Sequence, residues 1–525
     1  MDFQNSMLRE IVEELLQQRQ VTRKTVERIA KKVCRKHSLK GIPTNIQILQ
    51  VCTSEEREKL REFLVMKPVR TISGVAIITV VAKPAPCPGS CIYCYRGMNS
   101  PQSYTGLEPA IQRAIRNDYN PFLQVQNRLK QYHLMGHSRD KIEIIILGGT
   151  FLALEDEYQE WFVKRIFDAL NGKESESLKK AQKLNESSLN RCIGLCVETR
   201  PDYCKEKHVN KLLELGATRV EIGVQTIYPD VLEIVNRGHS IEDSIEAIRI
   251  AKDSGFKVVV HIMPGLPDSN FERDFEMFRT LFSDQRFMPD DLKIYPTVVI
   301  KYSELYEIWK REEYKPLTDE QALNLLVEIK KIVPPWVRIR RAIRDTPATE
   351  IIAGPKKTNL RELAQWKIKN LGIRCRCTRC RELGHVKKLF DMEPKVENIK
   401  LVRREYDASE GKEIFLSFED VKQDILIALL RLRIPSDKAH RTEINKLPSA
   451  IVREIHTYGP IVPIYKEPIR EWQHRGYGRE LLQEAEMLTK EFGKKKILII
   501  SGVGAKEYFL KQGYKYDGSY VSKPL

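Results

Sequence analysis

Three cysteines in one short loop carry the most distinctive chemistry of this sequence. Cys87, Cys91 and Cys94 are spaced CxxxCxxC and follow an apolar run at 74–82, which predicts a strand that ends at a metal-binding loop. Three thiolates at this spacing can hold three irons of a [4Fe-4S] cluster and leave the fourth iron free for S-adenosylmethionine (SAM). Zinc, or buried thiols without a metal, is the alternative for so short a motif. The position after a strand favours the SAM-binding cluster.

A second cysteine group lies far downstream in a basic segment. Cys375, Cys377 and Cys380 are too close together for a disulfide framework, and a cytosolic chain keeps its thiols reduced. Zinc bound by three thiolates is the favoured interpretation, and a second iron-sulfur cluster is the alternative. A closed zinc site needs a fourth ligand, for which His385 is the nearest candidate.

Length and composition indicate a multidomain globular protein. The chain has 525 residues, of which 42% are apolar, and this length suits about three to four domains. No apolar run reaches the ~18 residues that a membrane helix needs, and the first residues lack the layout of a signal peptide. We therefore expect a cytoplasmic protein without a membrane partner.

Positive charge is the strongest compositional bias. Lysine and arginine number 88 against 71 acidic residues, and the net charge of +17 favours a polyanionic partner such as RNA. Guanidinium groups beside an aromatic residue suit phosphate contact and base stacking. Such a group follows Trp336 and contains Arg338, Arg340, Arg341 and Arg344. A second basic group lies on a predicted N-terminal helix and contains Arg23, Lys24, Lys31, Lys32, Arg35, Lys36 and Lys40.

After the first cysteine loop, apolar runs alternate with helical patterns. This rhythm predicts a parallel sheet that closes partly as a (β/α)6 barrel, within an α/β protein. The six predicted strands are 76–81, 142–147, 192–197, 219–224, 258–263 and 292–295. Active sites of such barrels lie at the carboxyl ends of the strands.

Glycines and polar side chains end several of these strands. Glycines let a ligand approach the backbone, and polar side chains can orient it, so their joint placement predicts a SAM pocket. The residues at these strand ends are Gly148, Gly149, Glu221, Gln225, Lys293 and Tyr295.

The last 130 or so residues predict a different domain. Several strands lead to a glycine-rich turn, Gly476-Tyr477-Gly478, which opens a helix whose amide groups suit a pyrophosphate. The turn follows a strand that contains Glu454, and another strand follows the helix. This order is typical of a GNAT-type acyl-CoA site. Tyr508 lies where such domains place a tyrosine near the thioester sulfur.

At this point the chain resembles, over nearly its whole length, the catalytic subunits of Elongator, a radical-SAM and acetyltransferase family that modifies tRNA. The likeness is to the archaeal or bacterial branch, which carries the second cysteine group. The segments that look like family signatures are 100–106, 136–141, 198–204, 236–239, 251–257 and 500–504.

The resemblance implies a tRNA uridine carboxymethyltransferase that acts at the wobble position. A SAM-derived 5'-deoxyadenosyl radical would activate the methyl group of acetyl-CoA, the co-substrate, for attachment to C5 of the uridine. The implied partners are the tRNA anticodon stem-loop and an electron donor, and the chain leaves open a homo-oligomer or accessory subunits.

The resemblance also implies roles for single residues. Lys293 and Tyr295 would act in the barrel pocket, Tyr508 in the acetyltransferase cleft, and Lys141 would lie on the acetyl-CoA path between the domains. The cleft would be lined by Glu454, Ile455, His456, Thr457, Gly476, Tyr477, Gly478 and Tyr508.

Composition shifts predict four regions. They are a basic N-terminal helical tRNA-binding segment (1–65), the radical-SAM barrel (66–325), a small linker with the zinc-binding cysteines (326–390) and the GNAT-type acetyltransferase domain (391–525). Two other functions remain open at this point. One is a protein lysine acetyltransferase with a structural iron-sulfur barrel, and the other is a tRNA-binding scaffold.

Overall fold

The computed structural model describes residues 2–38, 41–95, 97, 99–464, 467 and 471–525, so the predicted basic residue Lys40 lies outside the described part. The N-terminal region folds around its own apolar core. The basic residues of the second helix lie on its exposed face, while Val26, Ile29 and Val33 face that core. This region consists of four helices, α1 (Asp2–Leu16), α2 (Arg23–Lys36), α3 (Asn45–Val51) and α4 (Ser54–Leu64).

The central domain is a curled parallel sheet. The six predicted strands are confirmed, and each pairs in parallel with the next along the chain. A seventh strand, at 338–341, adds to the last of the six. The strands are β1 (Ala76–Val81), β2 (Lys141–Leu147), β3 (Arg191–Thr199), β4 (Arg219–Gln225), β5 (Lys257–Ile262), β6 (Asp291–Ile294), β7 (Val299–Ile300), β8 (Arg338–Arg341) and β9 (Ile351–Ala353), of which β7 and β9 form a separate antiparallel pair.

Alternation along the strands separates the packed face of the sheet from its inner face. On β2, Ile142, Ile144 and Ile146 are buried against the helices, whereas Glu143 and Ile145 face the interior of the barrel. None of the described helices is long and apolar enough to cross a membrane. The helices of this domain are α5 (Pro109–Ile115), α6 (Pro121–Leu134), α7 (Asp156–Asn171), α8 (Leu178–Asn185), α9 (Glu206–Glu214), α10 (Pro229–Ile234), α11 (Ile241–Asp253), α12 (Phe271–Ser283), α13 (Glu304–Lys310) and α14 (Asp319–Ile332).

The predicted linker is not a separate element. Its first boundary, at 325, falls inside α14, and its residues 338–341 form β8 of the barrel sheet. The boundary was wrong because the segment that continues the sheet is rich in arginine and does not look like a buried strand. The second cysteine group lies among three short helices, α15 (Leu360–Asn370), α16 (Thr378–Arg381) and α17 (Leu383–Phe390).

The C-terminal domain is a second seven-stranded sheet. Its order is β10-β11-β12-β13-β14-β16-β15, and only β13 and β14 run parallel. That pairing ends at Val452, although β13 continues to Thr457, so the two strands diverge. The elements are β10 (Ile399–Ala408), β11 (Gly411–Asp420), β12 (Ile425–Ile434), α18 (Thr442–Asn445), β13 (Ser449–Thr457), α19 (Tyr477–Glu491), β14 (Lys496–Ile499), α20 (Lys506–Leu510), β15 (Lys515–Asp517) and β16 (Tyr520–Pro524).

Buried ion pairs join the amino-terminal edge of the barrel to the C-terminal domain. Asp290, which precedes β6, accepts two hydrogen bonds from the Arg453 guanidinium at 2.7 and 2.8 Å. Arg431 lies 3.5 Å from the same carboxylate and donates to Glu454 at 2.8 Å. Glu454 also accepts from Lys257 of β5 at 2.6 Å. Because these charges are buried, each depends on its partner across the interface.

We predict that Asp290→Ala lowers the free energy of unfolding by about 3–5 kcal/mol, because it leaves a buried guanidinium without its main counter-ion. Chemical denaturation measures this change. The matched control is Asp230→Ala, which removes a half-exposed carboxylate from an exposed pair with Arg273. It should cost about 0–1 kcal/mol. Equal losses in the two variants would contradict a stabilising role for the interface network.

Candidate active site

One cavity of about 620 Å³ reaches from the first cysteine loop to the C-terminal domain. Its walls come from the cysteine loop, the inner faces of the barrel strands and strand β13. Residues at the two extremes of this lining are Cys87, Cys91, Cys94, Glu454, Ile455 and His456. The cysteine loop and the β13 part of the predicted acetyl-CoA cleft therefore share one cavity.

Each cysteine of the first loop has a polar side chain near its sulfur. Arg237 donates to Cys91 Sγ at 3.3 Å, Gln102 donates to Cys94 Sγ at 3.3 Å, and the Thr150 hydroxyl lies 3.8 Å from Cys87 Sγ. Burial raises the pKa of the Cys94 thiol, and the hydrogen bond from Gln102 opposes that rise. Hydrogen bonds to sulfur stabilise thiolates and are a means of tuning iron-sulfur clusters.

The spacing of these thiols suits a cluster better than a single ion. Among the described residues, two groups have three candidate donor atoms within 4.8 Å of one another, Cys375/Cys377/Cys380 and Glu198/Glu221/His261. The thiols of the first loop form no such compact group. Three thiolates that are set further apart fit a multi-iron cluster, which is larger than one ion.

Buried polar atoms without partners mark the neighbouring pocket. Glu221 Oε1, Gln225 Oε1 and Arg200 Nη1 are buried and have no hydrogen-bond partner within the described structure. A carboxylate, an amide oxygen and a guanidinium can meet the amino, hydroxyl and carboxylate groups of a molecule such as SAM. Gly149 also lines the cavity, with φ of +69°. Gly148 has a different role, since a Cβ there would lie 2.8 Å from Ala82 Cβ.

Lys293 is the centre of a charged group inside the barrel. Its ammonium contacts Glu221 and lies 3.3 Å from Glu198, and His261 Nε2 lies 3.1 Å from Glu221. Burial opposes the charge of Lys293, but Glu221, Tyr295 and Glu198 together outweigh it and raise the lysine pKa. Tyr295 packs edge-on against His261 at 5.5 Å. The structure thus brings Lys293 and Tyr295 together as predicted, with the lysine held as a cation.

Strand β13 forms the cavity wall at the end away from the cysteine loop. Burial disfavours the Glu454 carboxylate, but Lys257 and Arg431 hold its pKa well below the ordinary range. His456 Nε2 donates to the Ser73 carbonyl at 2.7 Å, and burial lowers the histidine pKa. The Thr457 carbonyl accepts from Gln473 at 3.0 Å, and Thr457 is not part of the cavity lining.

The glycine-rich turn lies beside this wall rather than in it. Gly476 precedes α19 and has φ of +96°. A residue with a side chain would be strained in this backbone conformation. Gly478 lies against Tyr508, whose hydroxyl would be 3.2 Å from a Cβ at that glycine. Tyr508 is 41% exposed. The turn and Tyr508 therefore form one group of neighbouring residues beside the cavity. None of its members lines the cavity, and they are Gly476, Tyr477, Gly478 and Tyr508.

Lys141 connects the barrel to this turn. Its ammonium donates to Gln473 at 3.1 Å and lies 3.0 Å from His474 Nε2. Burial lowers the pKa of Lys141 to about 8. Lys141 therefore lies between the barrel and the C-terminal domain.

The second cysteine group is compact and buried. Lys330 donates to Cys380 at 3.4 Å, and the neighbouring thiols lower the pKa of Cys377 by hydrogen bonding. This donor set suits one ion that prefers thiolates. The expectation for His385 is wrong, because its Nε2 lies 3.2 Å from Glu382 and its ring lines the central cavity.

Two of the arginines after Trp336 are paired inside the fold. Arg338 donates to the buried Glu382 at 2.7 Å, Arg340 pairs with Asp291, and Trp336 stacks on Tyr406 at 4.5 Å. These groups are used inside the fold, so the predicted RNA contact is wrong for them. Arg341 and Arg344 line the cavity, beside Tyr295.

Sequence reasoning missed the contact between Arg237 and Cys91, and the ionic partners of Glu454. Both contacts join residues that are far apart in the chain, and no local spacing reveals them. Segment 236–239 stood out only as a resemblance, without a role for its arginine.

Three family models match this chain. They are the Radical SAM superfamily at residues 86–281, the Radical_SAM C-terminal domain at 289–370 and the ELP3 N-terminal domain at 4–72. The solved archaeal Methanocaldococcus infernus Elp3, which lacks its residues 1–46, is 48% identical with a TM-score of 0.77. That match covers 87% of this chain and 100% of the other.

Curated relatives match over similar lengths. A Methanocaldococcus infernus protein named tRNA uridine(34) acetyltransferase is 50% identical, over 100% of both chains. The human Elongator complex protein 3 is 44% identical, over 95% of this chain and 93% of the other. As a radical-SAM protein, the chain is expected to carry a [4Fe-4S] cluster and to bind SAM, which the first cysteine loop and its pocket fit. With identity this high over nearly the full length, the chain belongs to the Elongator complex protein 3 family.

Proposed function

We propose that this protein is a tRNA uridine carboxymethyltransferase. It would use a SAM-derived radical to activate the methyl group of acetyl-CoA and attach it at C5 of the wobble uridine. The observation that carries this proposal is the cavity shared by the cysteine loop and strand β13. A radical made at one end can act on a group delivered to the other only if both lie in one space that excludes water.

The barrel residues would hold and orient the reactants. When bound, the cluster and SAM supply a carbon-centred radical. The atoms that would bind SAM have no hydrogen-bond partner in the described structure, and they are Glu221 Oε1, Gln225 Oε1 and Arg200 Nη1. Lys293, fixed as a cation between Glu221 and Glu198, would place its charge near the uracil carbonyls, and Tyr295 would pack beside the ring.

The C-terminal domain supplies features of a GNAT-type acetyl-CoA site. Beyond Val452, strand β13 leaves the side of β14, so one edge of its backbone is open to an amide-containing arm. The turn at Gly476–Gly478 presents amide groups at the start of α19, which suits the pyrophosphate. The Tyr508 hydroxyl beside Gly478 would meet the thioester.

The tRNA would contact the N-terminal helices. The exposed face of α2 carries several lysines and arginines, which suits a phosphate backbone. The name of the archaeal relative specifies uridine 34 of tRNA as its target. The anticodon stem-loop is therefore the proposed ligand.

Protein lysine acetylation is not favoured by the site. That reaction needs a free base, whereas Glu454 is paired with two cations and His456 is bonded through Nε2. The β13 wall also faces the barrel interior and not an open peptide groove.

The second cysteine group is proposed to bind structural zinc. Three buried thiols within 4.8 Å of one another suit that ion, and the Lys330 ammonium would offset the negative charge of three thiolates. Since Cys375, Cys377 and Cys380 lie between the barrel and the C-terminal domain, the ion would brace the junction.

Tyr508→Phe should abolish carboxymethyluridine while leaving tRNA-independent 5'-deoxyadenosine formation intact, because it changes only the acetyl-CoA end. Anaerobic reaction with dithionite, SAM, acetyl-CoA and tRNA, followed by nucleoside mass spectrometry, measures both products. Cys91→Ala should abolish both. The matched control is Tyr516→Phe in the same domain, because the Tyr516 hydroxyl contacts Lys183 and Glu186 of the barrel and not the glycine-rich turn. Unaltered nucleoside product in Tyr508→Phe would argue against the proposed cleft.

The affinity for acetyl-CoA should fall as pH rises through about 8, where the buried Lys141 loses its charge. Below that pH the ammonium can pair with the phosphates of the ligand, and above it the amine cannot. The KM for acetyl-CoA is measured from about pH 6.5 to about pH 9.5, a range that brackets this pKa. In the wild type, the KM should increase as the pH rises. In Lys141→Arg, the KM should not change with pH. Parallel pH profiles of KM in the two proteins would contradict the proposed role of the Lys141 charge.

Cys377→Ser should lose zinc and keep iron, whereas Cys87→Ser should lose iron and keep zinc. Elemental analysis of the anaerobically purified full chain measures both metals. The two variants serve as controls for each other, because each removes one thiol from a different group. Loss of iron from Cys377→Ser with zinc unchanged would favour a second iron-sulfur cluster.

A further inference from the structure

Arg237 is a buried guanidinium that lacks a carboxylate partner. It is 7% exposed and makes no ion pair with an aspartate or glutamate anywhere in the described part of the chain. Its Nη1 donates to Cys91 Sγ at 3.3 Å, and its Nη2 donates to the Gly223 carbonyl at 2.7 Å. Of these two acceptors, only the sulfur can carry a negative charge.

A buried charge without a counter-ion is costly, and proteins rarely keep one. The nearby Arg200 shows the ordinary solution, since it pairs with Asp202 at 2.9 Å. Among the hydrogen-bond acceptors of Arg237, only Cys91, as a thiolate, can balance its charge. The fold therefore provides for an anion at this thiol.

The chain around Arg237 holds it firmly against the cysteine loop. Asn236 donates to Ser90 Oγ at 2.7 Å, and the Ile92 amide donates to the Val235 carbonyl at 3.1 Å. A Cβ at Gly223 would lie 2.8 Å from Arg237 Nη2, so β4 leaves room for the guanidinium at that point. These contacts fix the distance between the cation and the sulfur.

We propose that Arg237 is the counter-ion of the cluster held by the first cysteine loop and that it raises the reduction potential of that cluster. The proposal rests on the radical-SAM family and on this geometry, not on the carboxymethyl product.

The electron balance is simple. A one-electron donor, such as dithionite in the test tube, loses one electron, and the cluster gains it with one added negative charge. No proton moves, because the guanidinium is already charged and stays so. A fixed cation stabilises the more negative, reduced cluster more than the oxidised one, and a hydrogen bond to a thiolate acts in the same direction. Arg237 is a positioning and tuning residue, since it acts through Cys91.

The test is a redox titration of the reconstituted full-length protein, followed by electron paramagnetic resonance, without tRNA or acetyl-CoA. Arg237→Gln should shift the midpoint potential to a more negative value at wild-type iron content, and Arg237→Lys should shift it less. Arg273→Gln is the control, because it removes an exposed guanidinium that pairs with Asp230. It should leave the midpoint unchanged.

A wild-type midpoint in a fully loaded Arg237→Gln protein would overturn the proposal. If that variant holds no iron, Arg237→Lys decides. Recovery of iron by the lysine charge would support a counter-ion, and failure to recover it would indicate a steric role only and overturn the proposal. Since the midpoint needs no product, this result stays separate from the success or failure of the proposed reaction.

Discussion

The buried ion pairs around Asp290 are the interaction on which the rest of the structure depends. They fix β13 of the C-terminal domain against the amino-terminal edge of the barrel, through Arg453 and Arg431 on one side and Asp290 and Lys257 on the other. Charges of this kind tolerate little displacement, because each loses its partner if the domains separate. The cavity has walls from both domains, so it exists only while this junction holds.

Several of the charges that line the cavity are paired within the fold. Glu221, Lys293 and Glu454 each have ionic partners within the fold, so the lining is preorganised and needs little rearrangement when a ligand enters. Some lining atoms have no hydrogen-bond partner in the described structure, among them Arg200 Nη1 and Gln225 Oε1. The arrangement separates two tasks. In the proposed reaction, the radical would form at the carboxyl ends of the strands, and the acyl donor would lie at the opposite edge of the sheet.

Much of this could be predicted from the sequence, where local patterns carry the information. The six barrel strands are apolar runs with regular spacing, and all six are confirmed. Strand β8 was missed because Arg338 and Arg340 look exposed, and only distant carboxylates make their burial possible. His385 was expected at the zinc site from its proximity in sequence, but its Nε2 contacts Glu382 instead. Long-range ion pairs of this kind leave no trace in residue spacing.

The measurement that tests the central claim most directly follows deuterium from the acetyl methyl group of labelled acetyl-CoA. The full-length protein is incubated anaerobically with dithionite, SAM, tRNA and the labelled donor, and the 5'-deoxyadenosine is examined by mass spectrometry. A shared reaction space predicts deuterium in the deoxyadenosine whenever carboxymethyluridine forms. Modified tRNA accompanied by deoxyadenosine without deuterium would contradict the direct meeting of the two cofactors in this cavity.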